Sequence, residues 1–180
     1  MKENLKLGFT LLIITALAGL VLAFAYDITR APIEARALEE KSAAMKVVLD
    51  AEEFAVTEGE LPENITGVYE ALNGGSNAGY VFTVTTKGYG GSIEMMVGIN
   101  ADSTLSGIQI LNHSETPGLG AKAKEDPTFA EQFKGVAADK DITLGSDVNA
   151  ITGATITSTG VTNGVNTAIE YYNTNLKGAK

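Results

Sequence analysis

The segment at residues 80–111, YVFTVTTKGYGGSIEMMVGINADSTLSGIQIL, decides the fold class because β-type runs alternate in it with turn-forming residues. Residues 80–86 and 105–111 alternate apolar and polar side chains as strands do, and residues 93–99 form another strand-like run. The stretches at residues 87–91 and 101–104 separate these runs, and glycine accepts the positive φ that tight turns need. The segment therefore predicts an antiparallel meander.

The meander extends upstream, and helices follow it. Residues 68–72 predict one more strand before the turn signal Asn-Gly-Gly-Ser at residues 73–76. Beyond Gly120, a short helix is expected from Asp126 or Pro127 to Phe133, and residues 142–151 are expected to be extended. The last helix is predicted at roughly residues 159–176, where apolar side chains recur at helical spacing. Strands followed by helices predict an α+β domain, with flanking helices on an antiparallel sheet.

The N-terminal segment carries a membrane signal. Residues 7–26 form a nearly continuous apolar run without a charge, and about 20 residues match the hydrocarbon core of a bilayer. Lys2 and Lys6 precede the run, which places the N-terminus in the cytoplasm and the rest outside by the positive-inside rule. Ala23-Phe24-Ala25 leaves a cleavable signal peptide open as the alternative, although the run is longer than a usual signal core.

The remaining segment between anchor and domain is predicted to be a linking helix and a loop. Residues 32–50 favour helix by composition, with Pro32 near the start and Thr29 as a possible cap. Residues 52–63 are acidic and are expected to form a surface loop. We therefore divide the chain into an N-terminal transmembrane anchor at residues 1–28, a linking helix and acidic loop at 29–60, and a domain at 61–180.

Composition excludes several classes of function. The net charge of −9 argues against a nucleic-acid partner. The chain has no cysteine, which excludes cysteine-ligated iron–sulfur clusters and covalent c-type haem. His113 is the only histidine, so a multi-histidine metal site is excluded as well. If the protein moves electrons, an organic cofactor must carry them.

The stretch Ile-Thr-Gly-Ala-Thr-Ile-Thr-Ser at residues 151–158 is the strongest candidate for a site. It contains four hydroxyl side chains and a glycine just before the last predicted helix. A helix N-terminus presents unpaired N–H groups and a positive dipole end, so it can hold a phosphate without a basic residue. The alternative is an ordinary hydroxyl-capped helix start.

Residues 152–158, Thr-Gly-Ala-Thr-Ile-Thr-Ser, resemble the flavinylation motif of the FMN-binding domains in the G subunit of the Rnf electron transport complex and the C subunit of the sodium-pumping quinone reductase. Residues 112–120, Asn-His-Ser-Glu-Thr-Pro-Gly-Leu-Gly, are similar to the segment that lies against the flavin in that family. The resemblance implies FMN esterified through its phosphate to Thr155 by a separate flavin transferase that uses FAD and a divalent cation. The family pattern often has an acidic residue where this chain has Asn149.

The resemblance also implies roles for neighbouring residues. The N–H groups of Gly153 and Ala154 and the hydroxyls of Thr152 and Thr157 are expected to bind the phosphate. The segment at residues 112–120 is expected to meet the flavin through Glu115 and Thr116 at the ring edge or the ribityl hydroxyls, Leu119 over a ring face, and Pro117 and Gly118 in the turn. Lys122 would neutralise the phosphate or the reduced flavin, whereas Tyr89 and His113 are weaker candidates. No catalytic residue and no metal ligand are predicted.

Similarity to the Rnf G subunit over essentially the whole chain implies a membrane-anchored, extracytoplasmic electron carrier. Such a protein works with the other membrane and peripheral subunits of an ion-translocating ferredoxin:NAD oxidoreductase and has no independent turnover. Two alternatives to this function remain open. The chain could be the FMN domain of another membrane reductase, or a cofactor-free extracytoplasmic binding or scaffold module.

Overall fold

The computed structural model describes residues 2–178, with side chains described for residues 6–30 and 41–178. Five strands follow a long first helix: β1 (Glu53–Val56), β2 (Ile65–Asn73), β3 (Ser76–Lys87), β4 (Ser92–Asn100) and β5 (Leu105–His113). The helices are α1 (Lys2–Val48), α2 (Lys122–Glu125), α3 (Pro127–Glu131) and α4 (Thr155–Tyr171), and a π-helical turn, Tyr172–Leu176, continues α4. The predicted α+β class is confirmed.

The five strands form one antiparallel sheet in the order β1-β2-β3-β4-β5, so every strand pairs with its neighbour in sequence. The central register places Phe82 opposite Val97 and Val84 opposite Met95. These four side chains are buried in one cluster, because alternate residues of neighbouring strands point to the same face. The meander predicted from the alternation in residues 80–111 is the observed topology.

Strand β1 corrects one prediction, because it lies inside residues 52–63, where a loop was expected. It pairs with β2 from Glu53 opposite Leu72 to Val56 opposite Tyr69. The strand is four residues long, and three of these residues are exposed. Backbone pairing at a sheet edge holds such a strand, so its sequence shows little apolar periodicity.

Each face of the sheet is covered by a different helix. On one face, α4 contributes Val161, Val165 and Ile169 to the larger core, together with Phe129 and Phe133 from the region of α3. On the other face, the end of α1 supplies the residues that pack against the sheet residues Ala71, Val81 and Met96. These α1 residues are Met45, Val48 and Leu49.

Helix α4 begins at Thr155, about one turn earlier than the start predicted from its apolar spacing. It lies against the β3–β4 hairpin through glycines. A Cβ atom at Gly160 would overlap the carbonyl oxygen of Lys87, and one at Gly164 would lie 3.0 Å from the sulfur of Met95. The Thr86 hydroxyl donates to the Gly160 carbonyl at 2.9 Å. This contact holds the start of α4 beside the hairpin.

Helix α1 runs without a break from Lys2 to Val48, so the separate helix start predicted near Pro32 is wrong. The Thr29 hydroxyl donates to the Ala25 carbonyl at 2.8 Å, one turn back in the same helix, instead of capping a new one. Residues Lys6–Arg30 are long and apolar enough to cross a membrane, with a mean hydropathy of 2.5 in the most apolar window. Contacts divide the chain into two units, residues 1–42 and 43–180.

Two further segments differ in detail from the expectations. Helix α3 ends at Glu131, and Asp126 caps it by accepting from the Thr128 N–H at 3.0 Å. Residues 142–151 form no β-strand in the structure. The β-type pairing in this segment is limited to one isolated bridge between Leu144 and Val148.

Candidate functional site

Three segments meet at one end of the sheet and enclose a half-open cavity of about 530 Å³. The segments are the β3–β4 hairpin at residues 87–91, the loop that leaves β5 at residues 114–121, and the first turn of α4. The cavity is lined by Tyr89, Glu115, Thr116, Leu119, Gly120, Gly153, Ala154, Thr155, Ile156 and Thr157. The two motifs that the sequence separates by about thirty residues therefore share one cavity.

The loop after β5 is a tight turn that places Leu119 at the cavity. Gly118 has a φ of +75°, which glycine adopts without the strain a side chain would add. The Leu119 and Ala121 N–H groups both donate to the Thr116 carbonyl, each at 3.2 Å. Gly118 lies in the turn but does not line the cavity, and its expected contact with the cofactor stays a prediction.

The first turn of α4 forms another wall of the cavity. Ala154 is the cap residue and offers no side-chain hydrogen bond to the helix. The first intrahelical N–H donor is that of Ser158, which reaches the Ala154 carbonyl at 3.0 Å. The preceding N–H groups, on residues 155–157, belong to the turn that has no acceptor within a helix. An alanine-capped start thus leaves donors and the positive dipole end for a ligand.

One expected phosphate donor has a different partner. The Ala154 N–H donates to the Ile151 carbonyl at 2.9 Å, because the chain turns tightly before the helix with Gly153 at a φ of +77°. This bond engages the Ala154 N–H within the chain, and its expected contact with a phosphate stays a prediction.

The hydroxyl groups around the first turn differ in what they contact. The Thr157 hydroxyl donates to Glu115, and the Ser158 hydroxyl bonds both the Ala154 carbonyl and the Ile151 N–H at 3.0 Å. The Thr159 hydroxyl donates to the carbonyl of Thr155 at 2.8 Å. The side chain of Thr155 lines the cavity, is exposed, and makes no hydrogen bond with any residue that the structure describes.

Glu115 lies under the cavity and is only 6% exposed. Its Oε1 atom accepts from the Gly90 N–H at 2.9 Å, and its Oε2 atom accepts from the Thr157 hydroxyl. The Glu115 N–H donates to Nδ1 of His113 at 3.1 Å. Both carboxylate oxygens are thus engaged by protein groups, and His113 contributes to the shape of the loop.

Two predicted site residues lie elsewhere. Thr152 and Lys122 line a second cavity of about 250 Å³, together with Asp126, Gln132 and Asn149 among others. In that cavity the Gln132 side chain accepts from the Asn149 N–H at 2.8 Å and donates to the Asn149 carbonyl at 3.3 Å. The phosphate contacts expected of Thr152 and Lys122 stay predictions, and the structure places both residues at the second cavity.

The apolar rim of the larger cavity was only partly predicted. Leu119, Ile156 and Tyr89 are 47%, 57% and 70% exposed, and together they form an exposed apolar group around one cavity. Ile156 and the lining glycine Gly120 were not among the predicted site residues. The signal for Ile156 was its place next to Thr155 at the start of a helix, on the side away from the core.

Comparisons with known proteins agree with the fold. The FMN-binding domain family matches residues 88–170, which include all three cavity segments except the first residue of the hairpin loop. Structures similar to this one include NqrC of Shewanella oneidensis, with a TM-score of 0.52, 20% identity, and coverage of 73% of this chain and 70% of that chain. The C subunit of the Na⁺-translocating NADH-quinone reductase of Parabacteroides distasonis has a TM-score of 0.54, 22% identity, and coverage of 74% and 81%.

Three curated relatives are similar to this chain over most of their length. The G subunit of the Na⁺-translocating ferredoxin:NAD⁺ oxidoreductase complex of Acetobacterium woodii is 36% identical, with 95% of this chain and 92% of the relative covered. The G subunit of the proton-translocating ferredoxin:NAD⁺ oxidoreductase complex of Clostridium ljungdahlii is 36% identical, with 88% and 85% covered. The G subunit of the ion-translocating oxidoreductase complex of Methanosarcina acetivorans is 37% identical, with 94% and 95% covered.

Proposed function

The chain belongs to the family of G subunits of the ion-translocating ferredoxin:NAD oxidoreductase (Rnf) complexes, and from this premise we propose that it relays electrons through FMN bound covalently to Thr155. The complexes of the family are oxidoreductases, and this chain acts in one as a subunit without turnover of its own. FMN supplies the electron-carrying group that a chain without cysteine lacks.

The state of the Thr155 hydroxyl carries the proposal. Within residues 152–159, Thr155 is the one hydroxyl-bearing residue that lines the larger cavity and whose hydroxyl makes no hydrogen bond to another described residue. Thr157 also lines the cavity, but its hydroxyl is directed to Glu115. Thr152 lines the second cavity. This arrangement makes Thr155 the accessible acceptor for a phosphoester.

The remaining lining residues suit the other parts of FMN. The first-turn N–H groups of α4 lie next to Thr155 and would hold the phosphate oxygens at the positive end of the helix. Leu119, Ile156 and Tyr89 would flank the apolar ring system, which explains why these side chains are exposed in the chain alone. The volume of about 530 Å³ lies within the range of about 300–1,000 Å³ that is common for small-molecule sites.

Among the described residues that line the cavity, none offers an unengaged base for the attachment. The Glu115 carboxylate bonds Gly90 and Thr157, and Nδ1 of His113 accepts the Glu115 N–H. A threonine hydroxyl needs an activating base, so a separate transferase must supply it. With FAD as donor, the Thr155 oxygen bonds to the FMN phosphorus, the bond to AMP breaks, and the hydroxyl proton is released.

The N-terminal helix would anchor this carrier in the cell membrane. Lys2 and Lys6 precede the apolar segment, and Asp27 and Arg30 follow its end. The positive-inside rule favours a cytoplasmic N-terminus and an extracytoplasmic FMN domain. A permanent ester suits that compartment, because a bound flavin then does not depend on free FMN. The partners would be the other membrane and peripheral subunits of the complex.

Co-expression with a flavin transferase tests the attachment. We expect flavin fluorescence at the protein band of a denaturing gel and an intact mass increased by FMN less one water. The variant Thr155→Ala should lose both signals. The matched variant Thr159→Ala removes a hydroxyl one turn away that does not line the cavity, and it should keep both. A dark wild-type band beside an active control substrate would refute the proposal.

A further inference from the structure

We propose that Glu115 is a positioning residue that joins the β3–β4 hairpin to the first turn of α4 and thereby fixes the cavity. The inference rests on the proposed function for the identity of the ligand. Its structural part concerns the chain alone and can be tested on protein that has never carried FMN.

The two hydrogen bonds of the carboxylate connect segments that are distant in sequence. Oε1 binds the Gly90 N–H of the hairpin, 25 residues before Glu115, and Oε2 binds the Thr157 hydroxyl of α4, 42 residues after it. Glu115 is therefore a bridge from the middle segment of the cavity wall to each of the other two.

Glycines at three positions allow the backbone to close around this carboxylate. A Cβ atom at Gly88 would overlap Oε1, and one at Gly120 would lie 2.5 Å from both Oε2 and the Thr157 hydroxyl oxygen. A Cβ atom at Gly90 would overlap the Ser114 carbonyl oxygen. The glycine-rich hairpin is thus explained by its approach to the loop around Glu115 and not by phosphate binding.

The bridge is expected to matter because its members are shielded from water. Glu115 is 6% exposed and Thr157 is 1% exposed. A buried charge is tolerated when it is hydrogen-bonded, and loss of one partner leaves the others without compensation. The hairpin beyond the bridge carries Tyr89, whose 70% exposed side chain lines the cavity mouth. The bond of Glu115 to Gly90 is thus one of the contacts that position Tyr89.

The variant Glu115→Gln distinguishes a role of the two hydrogen bonds from a requirement for the negative charge of Glu115. A glutamine side chain can accept the Gly90 N–H with its oxygen and donate its amide N–H to Thr157, because a threonine hydroxyl both donates and accepts. Glu115→Gln should therefore keep the connection, whereas Glu115→Ala should break it. Glu125→Ala is the matched control, since it removes an exposed carboxylate from α2, which follows the same loop.

Amide hydrogen exchange of the flavin-free full-length chain provides the test. In Glu115→Ala, exchange should become about five- to tenfold faster in peptides covering the hairpin and the start of α4, as expected for loss of about one net hydrogen bond at each. Exchange in the strands β2–β4 outside these peptides should stay unchanged. Glu115→Gln and Glu125→Ala should resemble the wild type.

Two outcomes would overturn the inference. One is unchanged local exchange in Glu115→Ala, and the other is Glu115→Gln behaving like Glu115→Ala, which would show that charge and not the bridge is needed. If Glu115→Ala does not fold, Thr157→Val cuts the α4 arm alone and should loosen only the start of α4, while Thr157→Ser should restore it. Equal exchange in these two threonine variants would likewise contradict the bridge.

A second readout relates the bridge to flavin attachment. With purified transferase, Glu115→Ala should raise the KM for the chain severalfold more than it lowers kcat, because the Thr155 hydroxyl is intact and only its surroundings are displaced. If the wild-type chain takes up no flavin while the exchange results hold, the proposed function fails and the bridge stands. If uptake is normal in Glu115→Ala with faster exchange, the bridge does not serve the site and the inference fails.

Discussion

The two cavities beside residues 151–154 are neighbours in sequence, yet their walls have opposite character. The larger one is lined by glycines, exposed apolar side chains and the unbonded hydroxyl of Thr155. The smaller one is lined by Lys122, Asp126 and the bonded pair of Gln132 and Asn149. Adjacent residues such as Thr152 and Gly153 thus belong to different environments. The larger cavity therefore presents groups without protein partners, whereas polar groups in the smaller cavity bond each other.

Gly120→Ala should have the largest effect on the difference between the cavities. The added methyl would lie 2.5 Å from Glu115 Oε2 and from the Thr157 hydroxyl oxygen, both in the larger cavity. We expect the free energy of unfolding to fall by about 1–3 kcal/mol, as for overpacking of a filled interior, and flavin attachment to fall with it.

Chemical denaturation and gel fluorescence measure the two effects of Gly120→Ala. Gly59→Ala is the control, because its Cβ would meet only the Tyr171 hydroxyl at an ordinary 3.8 Å. If Gly120→Ala were as stable and as fully flavinylated as Gly59→Ala, the close packing around Glu115 would not shape the larger cavity.

The rim of the larger cavity should affect the ligand more than the fold. Leu119→Ala and Ile156→Ala remove exposed side chains, so the free energy of unfolding should change by no more than about 0.5 kcal/mol. The attached flavin should lose apolar contact, and its fluorescence anisotropy should decrease. Val56→Ala, at the exposed edge strand β1, is the matched control. Unchanged anisotropy in both rim variants would place the ring elsewhere.

Features that depend on residues close together in the sequence could be predicted, whereas features that depend on distant residues could not. The meander was predictable because strand alternation and glycine turns are local signals, as at residues 80–111. Strand β1 was missed because backbone pairing at an edge leaves little pattern in four residues. The start of α4 was placed too late because Thr155, Ile156 and Thr157 are β-branched and Gly160 follows, all of which lower helix propensity.

The partners of the site residues were harder to predict than the motifs. Both motifs were recognised from their local sequence, and the structure brings them to one cavity. The bonds of Glu115 join groups 25 and 42 residues away, and no short-range pattern encodes them. Likewise, Thr152 was grouped with Thr155 because they are three residues apart, although the turn at Gly153 separates them into two cavities.

Substitutions in the smaller cavity should therefore have a smaller effect. We expect Thr152→Ala and Lys122→Ala to change the rate of flavin attachment by less than about twofold, because neither side chain lines the cavity of Thr155. Initial rates with purified transferase measure the effect. A tenfold loss in either variant would show that the transferase or the phosphate contacts the smaller cavity. The smaller cavity would then take part in flavin attachment, contrary to this prediction.

The smallest expected effect concerns Asp126, which lines the smaller cavity and caps α3. The Thr128 hydroxyl and N–H, which donate to the carboxylate, hold the pKa of Asp126 below its usual value. Because the pKa is lower in the folded chain, the stabilisation is present above the unfolded pKa of about 3.9 and disappears as the pH falls through the folded pKa.

Asp126→Asn should lower the melting temperature slightly at pH 7, and the wild type and the variant should converge in acid. Flavin attachment should be unchanged at pH 7, because Asp126 lines the smaller cavity and not the cavity of Thr155. A difference in melting temperature that grew as the pH fell would contradict the capping role, and a loss of attachment would connect the smaller cavity to the site.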